Sequence, residues 1–130
     1  RESLYLILMQ KVNCRVCGSK GGYDRNRSGR FYVVRWYGFC ESYLKFGITN
    51  REVLSRVKEQ SRHSKLDWEI LIDKLFDDGE LPLIIEGTLR RGMDAGKCPA
   101  KWLPDGYTET VEDTHENMEK ISKEVFKHEE

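Results

Sequence analysis

The chain has 130 residues, 38% of them hydrophobic and 34% charged, with 22 Lys/Arg balancing 22 Asp/Glu. That leaves room for one compact domain and a terminal appendage, and no apolar run approaches the ~20 residues of a membrane span. The neutral total hides a split: residues 1–65 carry 14 Lys/Arg against 5 Asp/Glu, whereas residues 66–130 carry 8 against 17. A basic half attracts polyanions and an acidic half repels them or binds metal; equally, the halves can neutralise one another across the fold.

Residues 4–9 form a short unbroken apolar run, which predicts a buried strand. The run is shorter than a secretory signal core and no small-residue cleavage site follows it, so a soluble cytosolic protein is expected. Cys14-Arg15-Val16-Cys17-Gly18 has the form of a zinc knuckle. A full site needs four ligands, and Cys40, His63 and Cys98 are the candidates to complete it. The plainer reading is reduced, partly buried cysteines. Residues 18–29 are a glycine-rich basic loop carrying Arg25 and Arg27, suited to phosphate contact or simply to solubility.

Residues 31–36 and 43–48 are β-branched and aromatic and predict two strands joined as a hairpin by a seven-residue connection over 37–43. Thr49-x-x-Glu52 has the capping-box form and starts a helix over 51–60. Val53, Leu54 and Val57 give that helix its apolar stripe, with Arg56 bordering it. Residues 68–76 predict the third core strand. Residues 81–90 predict a helix that tolerates Pro82 in its first turn and turns Leu81, Ile84, Ile85, Thr88 and Leu89 inward. Residues 92–106 read as irregular, and 111–128 as a polar helix with Met118, Ile121 and Val125 on one side. The expectation is an α+β fold: a small central antiparallel sheet of about three core strands plus an N-terminal strand, flanked by helices. It divides into 1–29 (strand, knuckle and basic loop), 30–110 (core) and 111–130 (acidic helix).

Arg30-Phe31-Tyr32 on the first hairpin strand, Lys45-Phe46-Gly47 on the second, Asn50 to Arg56 entering the helix, and Glu86 after the Asp78-Gly79 turn form an ordered series. In order and spacing it resembles the GIY-YIG endonuclease superfamily, in particular phage-encoded variants with a Lys-Phe/Ile-Gly second motif. The likeness spans residues 30–110, although the first motif keeps only its tyrosine and the second only its glycine. Residues 105–110 resemble a segment common in phage members, without an assigned role.

The resemblance implies a Mg²⁺- (or Mn²⁺-) dependent enzyme that hydrolyses phosphodiester bonds of double-stranded DNA in a bacterial host cell, in homing, restriction or attack on competing genomes. Tyr32 would deprotonate or orient the attacking water. Glu86 would hold a single Mg²⁺, and Arg56 would brace the phosphorus oxygens. Lys45 stands where the second motif has tyrosine, with Tyr43 two residues earlier; period-two alternation puts both on the face of Gly47. Lys45 would lower the pKa of Tyr32, touch the scissile phosphate or bind DNA. The family's histidine is replaced by Gln60, and His63 is the nearest substitute. Arg25, Arg27, Arg30, Lys45, Arg51 and Arg62 are the candidate DNA contacts. A single site cuts one strand per visit, so double-strand cleavage would need a homodimer or rebinding.

Each residue also has an ordinary reading. Tyr32 can be a packed strand tyrosine, Glu86 and Arg90 an i,i+4 ion pair, and Arg56 and Lys45 solubilising groups. Two other functions compete: a non-catalytic nucleic-acid-binding module, and a zinc-stabilised protein-interaction domain built on Cys14 and Cys17.

Overall fold

In the computed structural model, which describes residues 22–128, the two aromatic-rich segments form the central hairpin of a four-stranded sheet. Its strands are β1 (Gly29–Gly38), β2 (Glu41–Thr49), β3 (Asp67–Phe76) and β4 (Thr110–Glu112). They lie in the order β3-β1-β2-β4 with every pairing antiparallel. The helices are α1 (Val53–Ser61), α2 (Glu80–Gly92) and α3 (His115–Phe126). This is the expected α+β architecture. The expected strand over 4–9 and the Cys14/Cys17 knuckle lie outside the described residues.

Both faces of the sheet are covered, which is why β1 reads as a nearly continuous apolar run instead of alternating cleanly. On one face Phe31, Val33, Leu44 and Phe46 pack with Ile85 and Leu89 of α2 and Ile121 and Val125 of α3. On the other, Tyr32, Val34, Trp36 and Tyr43 pack with Val53 and Val57 of α1 and with Leu103. β3 pairs with β1 through a register shift between Val33 and Val34, an irregularity suited to an outer strand.

Four expectations need correction. The hairpin turns on two residues, Phe39 and Cys40, not seven; both have positive φ (53° and 63°). Such a tight turn favours Asn-Gly, so a Phe-Cys pair hid it from view and stores strain on the order of 1–3 kcal/mol per residue. The helix after β2 begins at Val53, with Glu52 as its N-cap and no side-chain capping bond. Thr49 instead accepts a hydrogen bond from the Arg51 amide at 3.0 Å, forming a local turn. Leu54 and Ile84 are exposed, not inward; Gln60 and Pro82 are buried on those helices. Finally, Val111 belongs to β4 and α3 starts at His115, where Thr114 accepts from the Asn117 amide.

Candidate active site

Register decides what β1 and β2 present beside α1. Tyr32 lies opposite Gly47 and Val34 opposite Lys45. Gly47 is required by its partner, because a Cβ there would come within 2.5 Å of the Tyr32 hydroxyl. With no side chain in the way, the Tyr32 ring crosses the strand and ends 1% exposed. Lys45, 3% exposed, holds its ammonium 5.4 Å from the centre of that ring.

Above this pair opens a cleft of about 570 Å³. Tyr32, Lys45 and Gly47 line it from the sheet, Asn50, Arg51 and Arg56 from the turn into α1 and α1 itself. Leu83, Glu86 and Arg90 line it from α2, and Arg25 and Arg27 from the basic loop. Six cationic side chains thus face two carboxylates, Glu86 and Glu109, a balance that draws in a polyanion. Tyr32, Arg56 and Glu86, far apart in sequence, meet in one concavity.

The electrostatics separate Tyr32 from its neighbouring phenols. Burial by itself pushes the Tyr32 hydroxyl up, but the charges of Lys45 and Arg56 and hydrogen bonds from Gln60 and Lys45 outweigh it, leaving the group below the ordinary tyrosine value. Gln60, fully buried, donates from Nε2 to the Tyr32 oxygen at 3.4 Å, the orientation a phenolate prefers. Tyr23, also lining the cleft, is pushed up to about 12 by burial and then by Asp78, Glu80, Glu86 and Asp24. Its hydroxyl donates to the Gly79 carbonyl at 2.8 Å. Tyr43 is likewise pushed up to about 12, by burial and by donation to Glu41 at 3.0 Å.

Tyr43 therefore shares the expected face but not the cleft; its ring packs 6.5 Å from Trp102. His63 is an exposed residue beyond the end of α1 and does not line the cleft, and Gln60 has taken the place beside Tyr32. Arg30 pairs with Asp73 at 2.9 Å, and Arg62 caps the C-terminal end of α1; neither lines the cleft. Arg25, Arg27, Arg51 and Lys45 do.

Several residues in and beside the cleft take structural parts that the sequence reading did not give them. Asn50 ties down the basic loop: its Oδ1 accepts from the Asp24 amide at 2.7 Å, and its Nδ2 donates to the Asp24 and Ser28 carbonyls at 3.0 Å. Arg51 makes a two-pronged pair with Glu59 (2.8 and 2.9 Å), which Arg56 joins at 3.4 Å. Gly106, at φ 118°, lies on Lys45; a Cβ there would collide with the lysine Cε, so the segment before β4 packs closely on that side chain. Glu109 enters from the same segment. Gly106 and Glu109 both belong to 105–110, the stretch singled out by resemblance alone.

The donor set suits a hard cation. Glu86 has a side chain only 16% exposed, and Arg90 bridges it (3.5 Å) to Glu109 (3.3 Å). Among the described residues no three His, Cys, Asp or Glu side chains gather into a ready-made metal site. Mg²⁺ needs no such cage, since one or two carboxylates together with substrate phosphates commonly hold it. The described candidates for a zinc site, Cys40, His63 and Cys98, form no such group either. Cys98 is a buried thiol pushed up to about 11 by desolvation, and Cys40 is exposed at the hairpin tip.

With this geometry in hand, one similarity is informative. The chain is 31% identical over 108 residues to a protein of Escherichia phage T5 named "Putative endonuclease". The matched stretch covers 83% of this chain and 43% of the phage protein, so the chain spans less than half of that relative. No protein-family model and no solved structure matches the chain. Among the described residues, no helix is long and apolar enough to cross a membrane.

Proposed function

We propose that this chain is a metal-dependent DNA endonuclease of the GIY-YIG type, working in a phage-infected bacterial cell. The observation that carries the reading is the meeting of Tyr32, Arg56, Lys45 and Glu86 in one cation-rich cleft, with the Tyr32 phenol alone among three neighbouring tyrosines held below its ordinary value. The similarity to the phage T5 protein supports the same class.

Each residue has a distinct part. A DNA phosphate entering the cleft is held by Arg25, Arg27 and Arg51 at the rim and by Arg56 nearer the sheet. Tyr32, as phenolate, takes a proton from the attacking water as the new oxygen–phosphorus bond forms and the bond to the departing sugar oxygen breaks. Lys45 and Gln60 hold the phenolate in place and stabilise its charge. Arg56 meets the charge that builds on the non-bridging oxygens. Glu86, with Glu109 close by, is the ligand for Mg²⁺, which when bound supplies Lewis-acid polarisation of the phosphate and charge relief at the leaving oxygen. A single cleft serves one strand, so a double-strand break requires a second copy or a second encounter.

The observed Glu86–Arg90 ion pair favours one alternative, a module that binds DNA without cutting it. Supercoiled plasmid incubated with the protein, with and without Mg²⁺, separates the two. Nicking that requires the ion, and that falls by roughly 10²–10⁴-fold in Tyr32→Phe and is abolished in Glu86→Ala, is the expected result. Retained binding without nicking in every arm would establish the alternative.

A further inference from the structure

The opposite end of β1 and β2 from the cleft carries a feature that the hydrolytic chemistry does not use. Phe39 stands at the hairpin tip in left-handed conformation, 60% exposed, and so does Cys40 beside it. An Asn-Gly pair would make this turn without strain, so an exposed aromatic ring is kept here against the backbone's preference. Strain of this kind marks a site where the side chain has another task.

The Phe39 ring stacks on Trp102 with centroids 5.1 Å apart and planes 21° from parallel. Trp102 is fixed through its backbone, whose carbonyl accepts from Ser64 Oγ at 2.6 Å and from the Lys65 amide at 3.2 Å. Two aromatic rings thereby form a ledge with one face of Phe39 open to solvent. Cations flank it: Lys101 lies with its ammonium 6.0 Å from the Trp102 ring centre, and exposed Arg62 and Lys65 come from the segment that holds Trp102. Arg62, Lys65 and Lys101 form no ion pair with any of the described residues. The carboxylates at this end are mostly engaged: Glu41 accepts the Tyr43 hydroxyl, Asp113 accepts from Ser42 and Arg35, and Glu69 pairs with Arg35, while Asp67 stands in register with Tyr37 and Glu112 with Tyr43.

An open aromatic face flanked by unpaired cations suits unpaired nucleotides, whose bases continue the stack while their phosphates meet the cations. Inside a duplex each base is already stacked on both neighbours and offers no such free face. We infer that the Phe39–Trp102 ledge, with Arg62, Lys65 and Lys101, binds a single-stranded segment of the DNA whose duplex part enters the cleft. The inference rests on the DNA-cleaving reading and narrows its substrate to nucleic acid with a tail, gap or flap. Six residue steps along β1 take Tyr32 to Gly38, roughly 20 Å of strand, a span of several nucleotides.

The test is equilibrium binding in chelator, where no cleavage occurs, to a blunt duplex and to the same duplex with an oligo-thymidine tail. The wild-type protein should prefer the tailed duplex by roughly 5- to 150-fold, the contribution of one stacked base. The double variant Phe39→Asn/Cys40→Gly supplies the unstrained turn. It should melt at the same temperature or higher, bind the blunt duplex as before and lose the preference for the tail. Cys40→Gly alone keeps the ring and should keep the preference. Equal wild-type affinity for both duplexes would overturn the inference and leave the DNA reading standing. A preference surviving in the double variant, or a lower melting temperature for it, would also overturn it. No affinity for either duplex would instead remove the DNA reading itself.

Discussion

Tyr23 and Tyr32 line the same cleft, yet their surroundings drive them in opposite directions. The carboxylates of Asp78, Glu80, Glu86 and Asp24 add to burial at Tyr23, whereas Lys45 and Arg56 overcome it at Tyr32. The consequence for stability can be measured. The folded value of Tyr23, about 12, lies above the unfolded value of about 10. Its contribution is therefore whole below about pH 10 and is lost as pH rises toward 12. Tyr23→Phe, which leaves the Gly79 carbonyl without its hydroxyl donor, should cost about 1 kcal/mol at neutral pH. The gap in melting temperature between wild type and variant should close across that alkaline window. A gap that stays constant through pH 12 would contradict the assignment. Tyr32 runs the other way, its contribution appearing only as pH rises past its depressed folded value.

Among the elements, the basic loop before β1 depends on one side chain from the turn after β2. Asn50 makes three hydrogen bonds to the backbone at Asp24 and Ser28, fixing Arg25 and Arg27 at the rim of the cleft. Asn50→Ala should cost about 1–2 kcal/mol and, more tellingly, should open the loop locally without unfolding the sheet. Limited trypsin digestion reads this directly: cleavage after Arg25 and Arg27 should accelerate while the global unfolding transition shifts little. The strands and α2 were legible because they are long enough to carry a hydrophobic pattern. β4 was not, since three residues hold no period and Val111 merged into the acidic run that follows. The capping box failed because Thr49 found a nearer amide, that of Arg51, before the helix began.

At the scale of the whole molecule, zero net charge conceals a directed field. Six cations converge on the cleft against Glu86 and Glu109, and α3 packs against the sheet face that α2 also covers. DNA binding should weaken linearly in log–log terms with salt, and Arg27→Ala should reduce that slope by about 0.9, one released counterion. Arg30→Ala, which removes a pair with Asp73 outside the cleft, should leave the slope unchanged. A slope altered equally by both would argue that phosphates do not follow the cleft.

The sequence by itself determined the α+β class, the central hairpin strands, α1, α2 and the four chemical groups in series, because strand and helix periods and local residue type are properties of neighbouring positions. It also placed Gly47 on the face of Lys45, a matter of period two alone. Only the tertiary structure decided that Gln60 rather than His63 would reach Tyr32, that Tyr43 would turn to Glu41 and Trp102, that Asn50 and Glu109 would line the cleft, and that Gly106 would pack on Lys45. Those outcomes depend on strand register and on which loop crosses which sheet end. Such contacts join residues tens of positions apart, and no local pattern along the chain encodes them.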